Sequence, residues 1–166
     1  MKLIGIVFIL VSAVSLSVRI AVELKKRCAY LRQFLNALNR FENEISFSAT
    51  PLPEAFGVMA ETMTGRGKRL LESVSTQMRK KRWTMPRTAM ERALEEEPDD
   101  LIADILLELS GSLGKYDIHA QLTGISQAKA RTEQLLLSLE EERGVKSKTY
   151  ETLCICAGLA TTILLI

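Results

Sequence analysis

The chain is expected to be all-α: a helical bundle domain with two long antiparallel helices, flanked by N- and C-terminal transmembrane helices. Three observations predict this. The two ends are apolar and uncharged, from Leu3 to Val18 and from Thr152 to Ile166. Between them apolar residues recur at three- and four-residue spacing, the period of a helix with one buried face. No stretch alternates apolar and polar residues with the Gly- or Asn-rich turns that strands and hairpins require.

Charge divides the chain the same way. Of 22 basic residues only Lys2 and Arg19 precede Glu23, all 20 acids lie between Glu23 and Glu151, and no charged side chain follows Glu151. The segment between those limits is neutral, with 20 bases against 20 acids. A neutral domain is poorly suited to electrostatic capture of nucleic acid, which needs a concentrated positive surface. The reading is therefore of three parts: a first transmembrane helix over 1–23, a cytoplasmic helical domain over 24–150 and a second transmembrane helix over 151–166.

For the first segment, Lys2 and Arg19 can place their charged heads at the two interfaces while the residues between approach the ~20 needed to cross a hydrocarbon core. A cleaved signal peptide is the competing reading, since Lys2 and the small residues near Ser12–Ala13 and Ser15–Ser17 resemble one. The apolar stretch, however, passes without a break into a helical pattern. The last segment becomes long enough if Lys148 and Tyr150 sit at an interface; its competitor is a buried core helix. Lys25, Lys26, Arg27 and Arg32 follow the first span, and Arg143, Lys146 and Lys148 precede the second. The bias of Lys and Arg towards the cytoplasmic side then puts both termini outside and the domain in the cytoplasm.

Leu24, Cys28, Leu31, Leu35, Leu38 and Ile45 form the stripe of the first long helix, widened by Phe34 and Phe41 and interrupted by Glu42. No Gly or Pro separates Val22 from Phe47, so this helix continues the first membrane helix. Pro51 ends it, because the residue before a proline avoids helical conformation, and Pro53 suits the first turn of the next helix. Leu52, Phe56, Met59 and Met63 mark that second helix, which Gly65-Arg66-Gly67 is expected to close. The Gly-x-Gly-Lys there lacks the spacing and the Ser/Thr of a phosphate loop, and no strand precedes it.

Leu70, Leu71, Val74 and Met78 define a third helix ending in Arg79, Lys80, Lys81, Arg82 and Trp83. A short helix follows Pro86 through Met90 and Leu94. The acidic run Glu95, Glu96, Glu97, Pro98, Asp99, Asp100 is expected to cap a helix over Leu101–Leu109, where carboxylates complement the helix dipole. Ser110 to Gly114 breaks that helix. Asp117 opens the second long helix, with apolar positions Ile118, Leu122, Ile125, Leu135, Leu136 and Leu139, running to Arg143–Gly144.

No catalytic, cofactor or metal site is expected. His119 stands beside an apolar position with no triad partner in view, and the paired acids come with no nucleophile. Cys28 is isolated, and Cys154 and Cys156 sit in the apolar end, which suggests neither a disulfide framework nor a complete ligand set.

Three stretches together resemble a known family. They are Leu38 with Glu44-Ile45-Ser46-Phe47-Ser48-Ala49-Thr50-Pro51-Leu52-Pro53-Glu54-Ala55, then Leu113 to Asp117 with Gln121, then Lys148, Tyr150 and the ending from Gly158 to Ile166. The chain resembles the stage III sporulation protein AB family over nearly its whole length. Phe47 stands where that family more often has Tyr, which removes a hydroxyl. The resemblance implies a role in endospore formation, in the mother-cell membrane around the engulfed forespore, within a secretion-like channel complex needed for late forespore gene expression. It also implies a domain similar to those of the type II secretion inner-membrane platform protein.

On that analogy the protein is a non-enzymatic platform or adaptor. Its partners would be the membrane, a cytoplasmic secretion-type ATPase and other membrane subunits, with a homo-oligomer possible and no nucleic acid. The alternatives are a tethered helical scaffold with no ATPase partner and a secreted helical protein. The residues expected to dock the ATPase are Arg79, Lys80, Lys81 and Arg82 in one run and Glu95, Glu96 and Glu97 in another. Arg66 to Arg69 adds a second basic run, and the acidic stretch extends to Asp104. Separate runs of opposite sign on a neutral domain can meet charged patches of a partner.

Overall fold

In the computed structural model the backbone is described for residues 2–48, 50–80, 85–114 and 117–165, and the side chains for 15, 18–48, 50–80, 85–114 and 117–144. All regular structure among them is helical: α1 Lys2–Ser46, α2 Leu52–Glu61, α3 Gly65–Lys80, α4 Pro86–Glu96, α5 Ala103–Ser110 and α6 Ile118–Leu165. The chain divides into two compact units, one of residues 1–29 with 136–166, the other of residues 30–135.

The 30–135 unit holds the end of α1, the four shorter helices and the start of α6. The α1 stripe is buried at most of its expected positions: Leu31, Phe34, Leu38 and Phe41 are inaccessible to solvent and Ile45 nearly so, whereas Leu35 is half-buried. Phe41 meets Phe56 of α2 with ring centroids 4.7 Å apart. Met59, Leu70, Leu71, Val74, Met90 and Leu106 are also fully buried. Full burial of each large apolar side chain stabilises by ~1.5–3 kcal/mol before the entropy of ordering is set against it.

Glu42, the polar interruption in the α1 stripe, accepts a hydrogen bond from Lys129 Nζ of α6 at 2.8 Å. Tyr30 meets Asp99 ahead of α5. Helix α5 and the turn after it run along α6, with Glu108 against Arg131 and Ser112 against Gly124. These contacts make α1 and α6 antiparallel within this unit.

The connections follow local chemistry. Thr50 donates its hydroxyl to Glu44 Oε2 at 2.8 Å and its amide to the Glu44 carbonyl at 3.2 Å, folding the chain back after α1. Leu52–Pro53 then opens α2, proline being suited to a first turn where no intrahelical donor is needed. Asp117 precedes α6, and its Oδ1 accepts the His119 amide at 2.9 Å, an N-cap bond to the second helical residue. His119 itself is exposed, as expected.

Three expectations are corrected. Gly65 does not close α2; it opens α3 in the left-handed region at φ 62°, and α2 ends at Glu61. Gly67 lies inside α3, where a Cβ would come within 2.7 Å of the Tyr30 hydroxyl and 2.5 Å of Met63 Cε. The acidic run does not cap α5, which begins at Ala103 after Ile102 with no side-chain cap bond. Helix α6 does not stop at Arg143–Gly144 but continues to Leu165, because one glycine costs a helix only ~1 kcal/mol against alanine.

The other unit, residues 1–29 with 136–166, buries Leu24 and Cys28, and Arg27 lies 3.8 Å from Glu23 one helical turn away. Among the described residues no helix is long and apolar enough to cross a membrane. The expected transmembrane segments rest on the side chains of residues 1–14, 16–17 and 145–166, which lie outside the described residues.

Candidate docking surface

The two charge runs singled out in the sequence lie on the same unit, in different surroundings. Arg79 and Lys80 end α3, and both are exposed. Neither forms an ion pair among the described residues. Lys81 and Arg82 lie outside the described residues. The basic run thus leaves two cations at a helix end, where they complement the negative pole of the helix.

The acidic run is engaged by the chain itself. Glu96 accepts the Ser73 hydroxyl at 2.6 Å and Gln77 Nε2 at 2.7 Å. Glu97 accepts Arg69 Nε at 3.0 Å, and Arg66 donates to the Pro98 carbonyl. The four α3 donors, Arg66, Arg69, Ser73 and Gln77, stand three, four and four residues apart, a single face of that helix. The Glu97 carboxylate raises the Arg69 pKa further, through its hydrogen bond and then its charge. Glu95 stays exposed.

Asp99 is the buried member of the run. It accepts the Tyr30 hydroxyl on one oxygen and the Leu101 amide at 3.1 Å on the other. A buried carboxylate is costly unless hydrogen bonded, and here both oxygens are served. Burial, and then the bond and charge of Asp99, push the Tyr30 phenol well above its ordinary value, with Arg66 opposing. Tyr30, absent from the sequence-derived docking residues, thereby fixes α1 to the α4–α5 connection. The signal that could have found this network is the polar 66/69/73/77 stripe facing an acidic run at the end of the next helix.

The arrangement can hold a rigid, charge-patterned surface on a helical frame. Its class is an all-α protein, with six helices and no strand among the described residues. The chain belongs to the stage III sporulation protein AB family, whose sequence model matches residues 2–166. It is 28% identical over 170 residues to stage III sporulation protein AB of Bacillus subtilis (strain 168), covering 99% of each chain. A solved structure of stage III sporulation protein AB (SpoIIIAB) superposes with a TM-score of 0.64 at 24% identity, covering 72% of this chain and 98% of that one, a likeness in fold. The resemblance read from the Glu44–Ala55 block is thus established as family membership, and the name is that of a sporulation protein.

Proposed function

We propose that this protein is a non-enzymatic platform or adaptor of the mother-cell membrane around the forespore, holding a cytoplasmic secretion-type ATPase within a secretion-like channel complex. The observation that carries the reading is continuity: α1 and α6 each run from the 30–135 unit into one of the two uncharged apolar ends of the chain. A helix that leaves a charged domain and enters 15 or 16 uncharged residues is suited to a bilayer if flanking Lys and Tyr side chains settle at the interfaces. Two such helices tether one domain at both ends, and tethering raises the effective concentration of a docking surface at the membrane. Family membership supports the sporulation context.

The positive-inside bias supports a cytoplasmic 24–150 domain with both termini outside. Single cysteines placed near Met1, at Lys80 and near Ile166, in chains whose native cysteines are replaced and which are expressed in vegetative cells, test this with an impermeant thiol reagent on intact cells. The expected outcome is labelling at the two ends and protection at position 80. Labelling at position 80 overturns the orientation, and recovery of the chain in the soluble fraction overturns the tether. Co-purification of the membrane-embedded chain with the secretion-type ATPase of the same cells tests the partner, and a clean absence of the ATPase overturns the adaptor role.

A further inference from the structure

Three large apolar side chains of the 30–135 unit stand in solvent: Phe47 is 87% exposed, Met85 74% and Ile118 43%. Scattered singly, such residues are ordinary; gathered at one place they mark a contact surface. They are gathered. Glu42 of α1 and Lys129 of α6 define a common level in the antiparallel pair. From it Phe47 lies five residues further along α1 and its turn, about 7 Å, and Ile118 lies eleven residues back along α6, about 16 Å in the same direction. Met85 precedes Pro86, and a Cβ on Gly114 would stand 3.3 Å from Pro86 Cγ, so Met85 adjoins the connection that ends at Ile118. Ser75 donates to the Pro53 carbonyl at 2.6 Å, which brings the second half of α3, with Arg79 and Lys80, toward the start of α2, five residues after Phe47.

The charge around these residues is unbalanced. Among the described residues Arg79 and Lys80 are exposed bases that form no ion pair, and Arg87 is matched by Glu91. Of the acids nearby, Glu44 is held by Thr50, Asp117 accepts the His119 amide and Glu91 pairs with Arg87 at 3.0 Å, leaving Glu54 in the first turn of α2. In the acidic run 95–99, the competing docking surface, Glu96 and Glu97 are engaged by α3 donors at the surface and Asp99 is buried.

We infer that the end of the unit bearing Phe47, Met85 and Ile118, rimmed by Arg79 and Lys80, docks an apolar pocket edged with carboxylates on a partner protein. An aromatic and a methionine at the centre with arginine at the rim is the composition of protein interfaces. A nucleic-acid surface would instead extend the basic patch and use the aromatic for stacking on bases. The inference rests on the adaptor reading above, in which the partner is the secretion-type ATPase, and it assigns the contact to the apolar-basic end rather than to both charge runs.

The test uses the full chain in lipid nanodiscs and the purified ATPase of the same complex, with dissociation constants taken at low and high salt. Three variants are compared with wild type: Phe47→Asp with Met85→Asp, Arg79→Glu with Lys80→Glu, and Glu95→Lys with Asp100→Lys. The first pair is expected to weaken binding by about tenfold or more at both salts. The second is expected to weaken it at low salt and to flatten its salt dependence. The third is expected to bind like wild type. All six positions are exposed, so unchanged circular dichroism accompanies each. Wild-type binding by the Phe47/Met85 variant overturns the inference and leaves the adaptor reading standing, as does loss of binding in the Glu95/Asp100 variant alone. A wild type that fails to bind the ATPase overturns both. Binding to duplex DNA or to phosphatidylserine vesicles without scaffold lipid competition, lost in the Phe47/Met85 variant while ATPase binding persists, likewise overturns the inference.

Discussion

Within residues 30–135 the two long helices bury opposite kinds of side chain. Helix α1 turns Leu31, Phe34, Leu38 and Phe41 inward, whereas α6 turns inward Gly124, Ile125, Ala128 and Thr132. Bulk on α1 fills the space between elements; smallness on α6 lets its backbone come close. Thr132 is fully buried yet satisfied, because its hydroxyl donates to the Ala128 carbonyl at 2.7 Å. The two faces therefore fail differently under mutation, α1 by losing volume and α6 by gaining it.

The largest expected effect is on the bulky face. Phe41→Ala removes a fully buried ring that packs on Phe56 and should cost ~3–5 kcal/mol, read as a lowered denaturant midpoint of the full chain in detergent. A loss below ~1 kcal/mol would mean that the site collapses around the gap and that α1 is not the packing centre.

The close-approach face gives a test of sign on a single helix. A Cβ at Gly124 would fall 1.8 Å from Ser112 Oγ and 2.4 Å from its Cβ, so part of the α5–α6 connection must shift to admit it. At Gly144 nothing lies within 4 Å of the added carbon. Alanine gains ~1 kcal/mol of helix propensity at either position, and overpacking costs ~1–3 kcal/mol at Gly124 alone. Gly124→Ala should thus lower the thermal midpoint and Gly144→Ala should raise it. The same sign at both would remove the distinction between the two faces.

That distinction also explains what sequence could reveal. The α1 stripe was legible because burial of large apolar residues leaves a 3.6-residue period in hydropathy. The α6 face was only partly legible: of its expected apolar positions Ile125 is buried, Leu122, Leu135, Leu136 and Leu139 are half-buried, and Ile118 is exposed. Gly124 and Thr132 carry no hydropathy signal, since their burial follows from shape and from a local hydrogen bond. The turn at Thr50–Pro51 and the start of α6 at Asp117 were legible because proline and cap chemistry act within a few residues.

The charge runs were legible as charge and not as contact. Nothing local to Glu96, Glu97 and Asp99 reveals that donors from α1 and α3, between 19 and 69 residues away, engage them. Gly65 misled for a related reason: a glycine at positive φ can end one helix or begin the next, and its local sequence is the same in both cases.

The smallest effect sharpens the comparison at the entry to α6, whose buried face of small side chains contributes little apolar area of its own. A helix of that kind depends more on local terms than α1 does, and the cap is the local term at its start. Asp117→Ala removes the acceptor of the His119 amide and should cost ~0.5–2 kcal/mol. Asp117→Asn retains an oxygen acceptor and should recover most of the loss, while Asp117→Glu, whose longer side chain caps poorly, should not. Because the cap is exposed and electrostatic in part, the Asp–Asn difference should shrink as salt is raised. If alanine and asparagine leave the same midpoint as the native residue, the hydrogen bond contributes nothing net, and α6 is held at its start by the Gly124–Ser112 approach alone.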